Sequence, residues 1–123
     1  MKTWTYEQAT GKMVAPDGTI YQGYSGHGAG VNNPAQEAAP CAGPIPAGTW
    51  QIGPWHDAYE NKGPVVAELH PVGFDANGRS GFLIHGDNSA GNHTASEGCI
   101  ILPRPARQAI RDSGATVLQV VHG

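Results

Sequence analysis

Glycine and proline punctuate this chain from end to end, 18 of one and 10 of the other in 123 residues, so turns must be frequent and long helices few. Short strands joined by loops are what such a chain can build. Charged residues make up only 14% of it, which leaves solubility to Gly, Asn, Ser, Thr and the backbone, as in loop-rich β proteins. The aromatic residues Trp4, Tyr6, Tyr21, Tyr24, Trp50, Trp55, Phe74 and Phe82 are spread widely enough to furnish one core, which argues against disorder. The length suits one domain over residues 1–123.

Local patterns place the elements. Alternation around Trp4 and Tyr6 predicts a strand over residues 3–8. The turn Pro16-Asp17-Gly18 leads into a second or third strand over residues 19–24, completing an N-terminal meander. Residues 25–46 read as a long irregular segment, which in a compact domain is usually functional or packs as part of a site. Further strands are predicted over residues 49–52, over residues 65–72 with a break at Pro71, over residues 81–85 in a central position, and over residues 116–121. The one helix is predicted over residues 103–113, with Pro near its start and with Ala106 and Ile110 on a different face from Arg107 and Arg111.

Several function classes drop out. The net charge of -3 provides no basic face for nucleic acid. No stretch approaches the roughly 20 apolar residues of a membrane span. Met1-Lys2-Thr3-Trp4-Thr5-Tyr6 lacks a hydrophobic signal segment, so the expectation is a protein made in the cytoplasm that either stays there or leaves by a route needing no cleaved signal.

The chemistry is concentrated between His85 and Cys99. A histidine ends an apolar run, a polar loop follows, and Ser96-Glu97-Gly98-Cys99 leads into Ile100-Ile101-Leu102. A loop folding back on a sheet can bring that thiol and imidazole together. The thiolate is the reactive species and a neighbouring imidazole generates it, so Cys99 is the candidate nucleophile and His85 the candidate base. Gly98 leaves room for substrate to approach the backbone, and amides around Gly98 and Cys99 could face an oxyanion. Ser96 could orient the turn.

Cys41 and Cys99 could form one disulfide, yet Cys41 lies in Ala39-Pro40-Cys41-Ala42-Gly43-Pro44, where any small apolar residue would serve. The reading therefore favours a reduced Cys99. His85, His93 and Cys99 with Asp87 suggest a zinc site, but the spacing fits no common pattern, and neither metal nor cofactor is expected. His27 borders the long segment and is a candidate substrate contact, whereas His56, His70 and His122 look unexceptional. Arg79, Arg104 and Arg107 are the cations nearest the site strand and helix in sequence, suited to binding a carboxylate.

These motifs carry a resemblance. His85, the polar loop and Ser96-Glu97-Gly98-Cys99 resemble the signature of L,D-transpeptidase (YkuD-like) catalytic domains, with Glu97 standing where a second histidine is usual and Ile101 where Asn or Arg is common. Gly43-Pro44-Ile45-Pro46-Ala47-Gly48-Thr49-Trp50-Gln51-Ile52 resembles their strand entry. Trp4-Thr5-Tyr6, the segment from Tyr24-Ser25-Gly26-His27 to Asn32-Asn33-Pro34, and Ser96-Glu97-Gly98-Cys99-Ile100 are similar to the small L,D-transpeptidase effectors of bacterial type VI secretion.

The resemblance implies a mainly β, L,D-transpeptidase-like β-sandwich with one short helix after the nucleophile loop. It implies action on peptidoglycan stem peptides, at the bond between the third residue (meso-diaminopimelate) and D-Ala, by carboxypeptidase or transpeptidase chemistry. It also implies Gly86 as the carbonyl orienting His85, and Arg79, Arg104, His27 and Asp87 are the candidate substrate contacts by their place in this sequence. A secretion-system carrier, a cognate immunity protein and action in the periplasm of a target Gram-negative cell complete the expectation. Two alternatives stand beside it: a cysteine amidase or endopeptidase of the NlpC/P60 type, with Cys41 ahead of His70 or His85, and a non-catalytic wall-binding module.

Overall fold

The computed structural model describes residues 3–27, 30–39, 42–57, 64–79, 81–86 and 98–123. In chain order the elements are β1 (Thr3–Glu7), β2 (Lys12–Val14), β3 (Ile20–Gln22), β4 (Tyr24–Ser25), β5 (Gly48–His56), β6 (Val66–Pro71), β7 (Leu83–His85), β8 (Ile100–Ile101), α1 (Arg104–Ser113) and β9 (Val117–Val121). The strands join in one sheet of order β3-β2-β1-β9-β5-β6-β7-β8-β4. Two neighbouring pairs are parallel, β1 with β9 and β7 with β8.

The stretch expected as one strand over residues 19–24 is instead two strands at opposite edges of this sheet. Only Gly23 lies between them, so the sheet has to curl until its two edges meet. A side chain at Gly23 would place its Cβ 2.1 Å from the Ile101 carbonyl oxygen, which reserves the crossing point for glycine. The curl produces the sandwich. Trp4, Tyr6 and Met13 from one end of the sheet share a single core with Phe82, Ile84, Ile100 and Leu102 from the other.

Trp4, Tyr6, Trp50 and Phe82 lie in that core, with Tyr21, Trp55 and Phe74 packed against it. Trp50 is fully buried and meets the rings of Phe74 and Phe82 edge-on, with centroids 5.4 and 5.0 Å away. Within the long segment after β4, Pro34–Gln36 forms a 3-10 turn whose first amide, that of Ala35, donates to the Asn33 side chain.

Helix α1 begins after Pro103 and stops at Gly114, which takes the left-handed conformation (φ 70°) that favours glycine as a helix terminator. Ala106 and Ile110 face the core. The expectation that Arg107 lies on a separate, solvated face is corrected: Arg107 is buried with them at 7% exposure. Burial is possible because backbone carbonyls accept from its guanidinium. Nε donates to Leu102 at 3.1 Å, and Nη1 donates to Pro64 at 2.7 Å and Val65 at 3.2 Å.

Candidate active site

Strand alternation fixes the orientation of the site. β7 and β8 run parallel with Ile84 opposite Ile100 and His85 opposite Ile101. Ile84 and Ile100 are fully buried in the core, so His85 and Ile101 lie on the other face of the same two strands. Cys99 immediately precedes β8, next to Ile100, the partner of Ile84. The parallel pairing sets the strand that carries His85 beside the strand that Cys99 leads into.

His85 is 3% exposed, and its ring is anchored. Nδ1 lies 2.8 Å from the carbonyl oxygen of Gly86. A carbonyl can only accept, so Nδ1 carries the hydrogen and Nε2 of the neutral ring keeps its lone pair. That is the tautomer a general base needs. Cys99 is half-buried, forms no disulfide with any described residue, and has its Sγ 3.8 Å from the carbonyl of Gly81.

Ahead of the thiol, Gly98 is held from two sides. Its φ of 130° lies in the region that favours glycine, and a Cβ there would fall 2.4 Å from Arg79 Nη2 and 3.0 Å from the Phe82 ring. Its carbonyl accepts a hydrogen bond of 3.0 Å from the Ser25 hydroxyl, which itself accepts from the Ile45 amide at 2.8 Å. Ser25 is fully buried. Its role was missed by sequence reasoning, although it lies within the Tyr24-Ser25-Gly26 motif; the contact spans 73 positions and leaves no local pattern.

Arg79 packs beneath the same turn. Nη1 donates to the carbonyls of Glu37 and Pro44 at 2.7 and 2.9 Å, Nη2 donates to Gly43 at 2.9 Å, and the guanidinium lies over Phe82 with its carbon 5.1 Å from the ring centroid. Arg104 and His27 are exposed. Ser96, Asp87, His93 and Cys41 lie outside the described residues.

Three other histidines sit in surface pairs. Glu68 Oε2 is 2.7 Å from His56 Nε2, and Oε1 is 3.1 Å from His70 Nε2. These contacts, His56 foremost, hold the Glu68 carboxyl below the usual carboxylate range. His122 Nε2 pairs with Glu37 Oε2 at 2.8 Å. Among the described residues no group of three or more His, Cys, Asp or Glu is arranged to hold a metal ion. No helix among them is long and apolar enough to cross a membrane.

Comparison with known proteins bears on the family and the fold. The family model of the Tlde1 domain matches residues 19–122. Among solved structures, Mycobacterium tuberculosis L,D-transpeptidase 1 is similar with a TM-score of 0.62 at 12% identity, covering 98% of this chain and 58% of that one. An L,D-transpeptidase in complex with imipenem is similar with a TM-score of 0.58 at 12% identity and the same coverage. The chain therefore spans well under two thirds of the length of these structural relatives, and at this identity the likeness concerns the fold. No curated protein matches the sequence.

Proposed function

The chain belongs to the Tlde1 domain family, type VI effectors of L,D-transpeptidase-like fold, and from that premise we propose that it is a cysteine enzyme cleaving the L,D bond of peptidoglycan tetrapeptide stems. One observation carries the reading. Gly86 fixes His85 in the tautomer whose Nε2 can take a proton, on the strand paired in parallel with the one that Cys99 leads into, which supports a thiol–imidazole pair.

The chemistry follows from those two groups. His85 Nε2 takes the thiol proton, and the Cys99 thiolate attacks the carbonyl carbon of the third stem residue. The new Sγ–C bond gives a tetrahedral oxyanion, for which backbone amides around Gly98 and Cys99 are the candidate donors, with Ser96 as a further orienting group. Collapse breaks the C–N bond to D-Ala, whose amine leaves with the proton returned by His85. Water then resolves the thioester to a tripeptide, or an amine resolves it to an exchanged or cross-linked product. No metal or cofactor enters any step.

Arg79 and Ser25 support the turn that presents Cys99. Arg104, His27 and Asp87 remain candidate contacts for the stem. As an effector, the enzyme acts on the wall in the periplasm of a target Gram-negative cell, with a secretion carrier and a cognate immunity protein as partners.

Mass spectrometry of muropeptides from purified sacculi tests the reading. Wild type converts tetrapeptide stems to tripeptide or exchanged stems, and Cys99→Ala does not. Cleavage at another bond of the stem, or an unchanged profile with wild type, overturns it.

A further inference from the structure

Beside Gly86, at the C-terminal ends of β7 and β8, lies a cavity of about 390 Å³ lined in part by Tyr24, Asn32, Gly86, Pro103 and Arg107. Arg107 is the one formally charged side chain among the described residues lining it. Three of its guanidinium bonds, through Nε and Nη1, go to backbone carbonyls. Nη2 has no hydrogen-bond partner among the described residues, and it comes within 2.9 Å of where a Cβ on Gly86 would stand. A cation more than nine-tenths buried with no carboxylate partner is costly, and the cavity is the place where an anion could offset that cost. The cavity also abuts the start of α1, where the helix dipole favours negative charge.

We propose that this cavity is a carboxylate subsite, with Arg107 Nη2 as the donor that reads the free C-terminal carboxylate of the substrate stem. The assignment rests on the L,D-cleaving reading above and deepens it. In an α-amino acid leaving group, one carbon separates the amine from the carboxylate. The cation that holds the carboxylate must then lie close to the acid that protonates the amine. Arg107 touches the position of Gly86, and Gly86 is the residue that orients His85. The subsite therefore distinguishes stems ending in a carboxylate from stems whose end is amidated or extended.

Arg107 also braces the backbone at Val65, whose φ of 58° is strained for a β-branched residue, so loss of activity alone would not separate the two roles. The test uses the Cys99→Ala protein, which cannot turn over, titrated with N-acetyl-D-alanine and with its carboxamide and followed by NMR. The acid is expected to bind about tenfold more tightly than the amide, as a charge-assisted hydrogen bond provides. Adding Arg107→Gln is expected to bring the ratio close to one. Because that variant also loses carbonyl contacts, the Nε–H signal of the unsubstituted Arg107 is followed too. It should move with the acid and stay still with the amide. Equal binding of acid and amide, a ratio unchanged in a folded Arg107→Gln variant, or an Arg107 signal indifferent to the acid overturns the subsite. Acid preference in a protein whose wild type leaves tetrapeptide stems intact keeps the subsite and removes the cleavage reading. Cleavage without acid preference does the reverse.

Discussion

The hydroxyl of Ser25 donates to the carbonyl of Gly98, 3.0 Å away, and so ties β4 to the residue that precedes the candidate nucleophile. The same oxygen accepts from the Ile45 amide, leaving both backbone groups satisfied inside the protein. Ser25→Ala removes one donor and one acceptor from a fully buried position. A loss of about 1–3 kcal/mol is expected, the cost of leaving buried polar groups unpaired. Denaturant melts measure it, and kcat should fall with KM nearly unchanged because the Cys99 turn loosens. Unaltered stability and rate would show that this bond does not position the turn.

Gly98→Ala forces a side chain into an unfavourable backbone conformation and against Arg79 and Phe82. The strain should cost on the order of 1–3 kcal/mol in thermal stability, with activity falling alongside. A fully active, equally stable Gly98→Ala protein would contradict the geometry of the turn.

Arg79 separates two roles that sequence reasoning could not. As a brace beneath Gly98, its replacement by Met should lower the melting temperature and kcat while leaving KM close to wild type, and Arg79→Lys should restore part of both. A rise in KM alone would return Arg79 to direct substrate binding.

The main architecture was legible in the chain. Alternation around Trp4 and Tyr6 gave β1, and Pro103 marked the start of α1. The candidate pair His85 and Cys99 was read from an apolar strand, a polar loop and a second apolar run. What escaped was long-range. Nothing local distinguishes β3 from β4, because the break at Gly23 depends on the approach of the Ile101 carbonyl. Arg107 looked like a solvated helix residue, since the carbonyls that receive it, at Pro64 and Val65, lie some forty positions away. Ser25 was hidden for the same reason.

The His56–Glu68–His70 cluster predicts a pH dependence. Its contacts lower the Glu68 pKa in the folded state, so the stability they contribute is complete above the unfolded carboxylate value of about 4.3. It is lost as pH falls through the lower folded value. The melting-temperature difference between wild type and Glu68→Gln should therefore shrink toward zero in acid, below that unfolded value. A difference that grows in acid would contradict the assignment.

His85→Ala should slow turnover by about two to four orders of magnitude, the range of a general base, with the fold retained. Chelator should change neither wild type nor variant. Loss of activity in chelator and recovery with zinc would replace the thiolate–imidazole mechanism with a metal one.

Directed to the periplasm of a Gram-negative host by an added signal, the wild-type chain should arrest growth, whereas the form left in the cytoplasm should be tolerated. Removing D-Ala from tetrapeptide stems takes away donors for later cross-links. Toxicity of periplasmic Cys99→Ala, or of the cytoplasmic wild type, would show that harm comes from something other than wall cleavage.

In the proposed mechanism the Cys99 thiolate attacks the carbonyl of the third stem residue. Acid-quenched incubation with tetrapeptide stem, followed by peptide mapping of the protein, tests it most directly. An adduct on Cys99 with the mass of the stem less D-Ala is expected, absent in Cys99→Ala and much reduced in His85→Ala. An adduct on Cys41, or full turnover by Cys99→Ala, would contradict it.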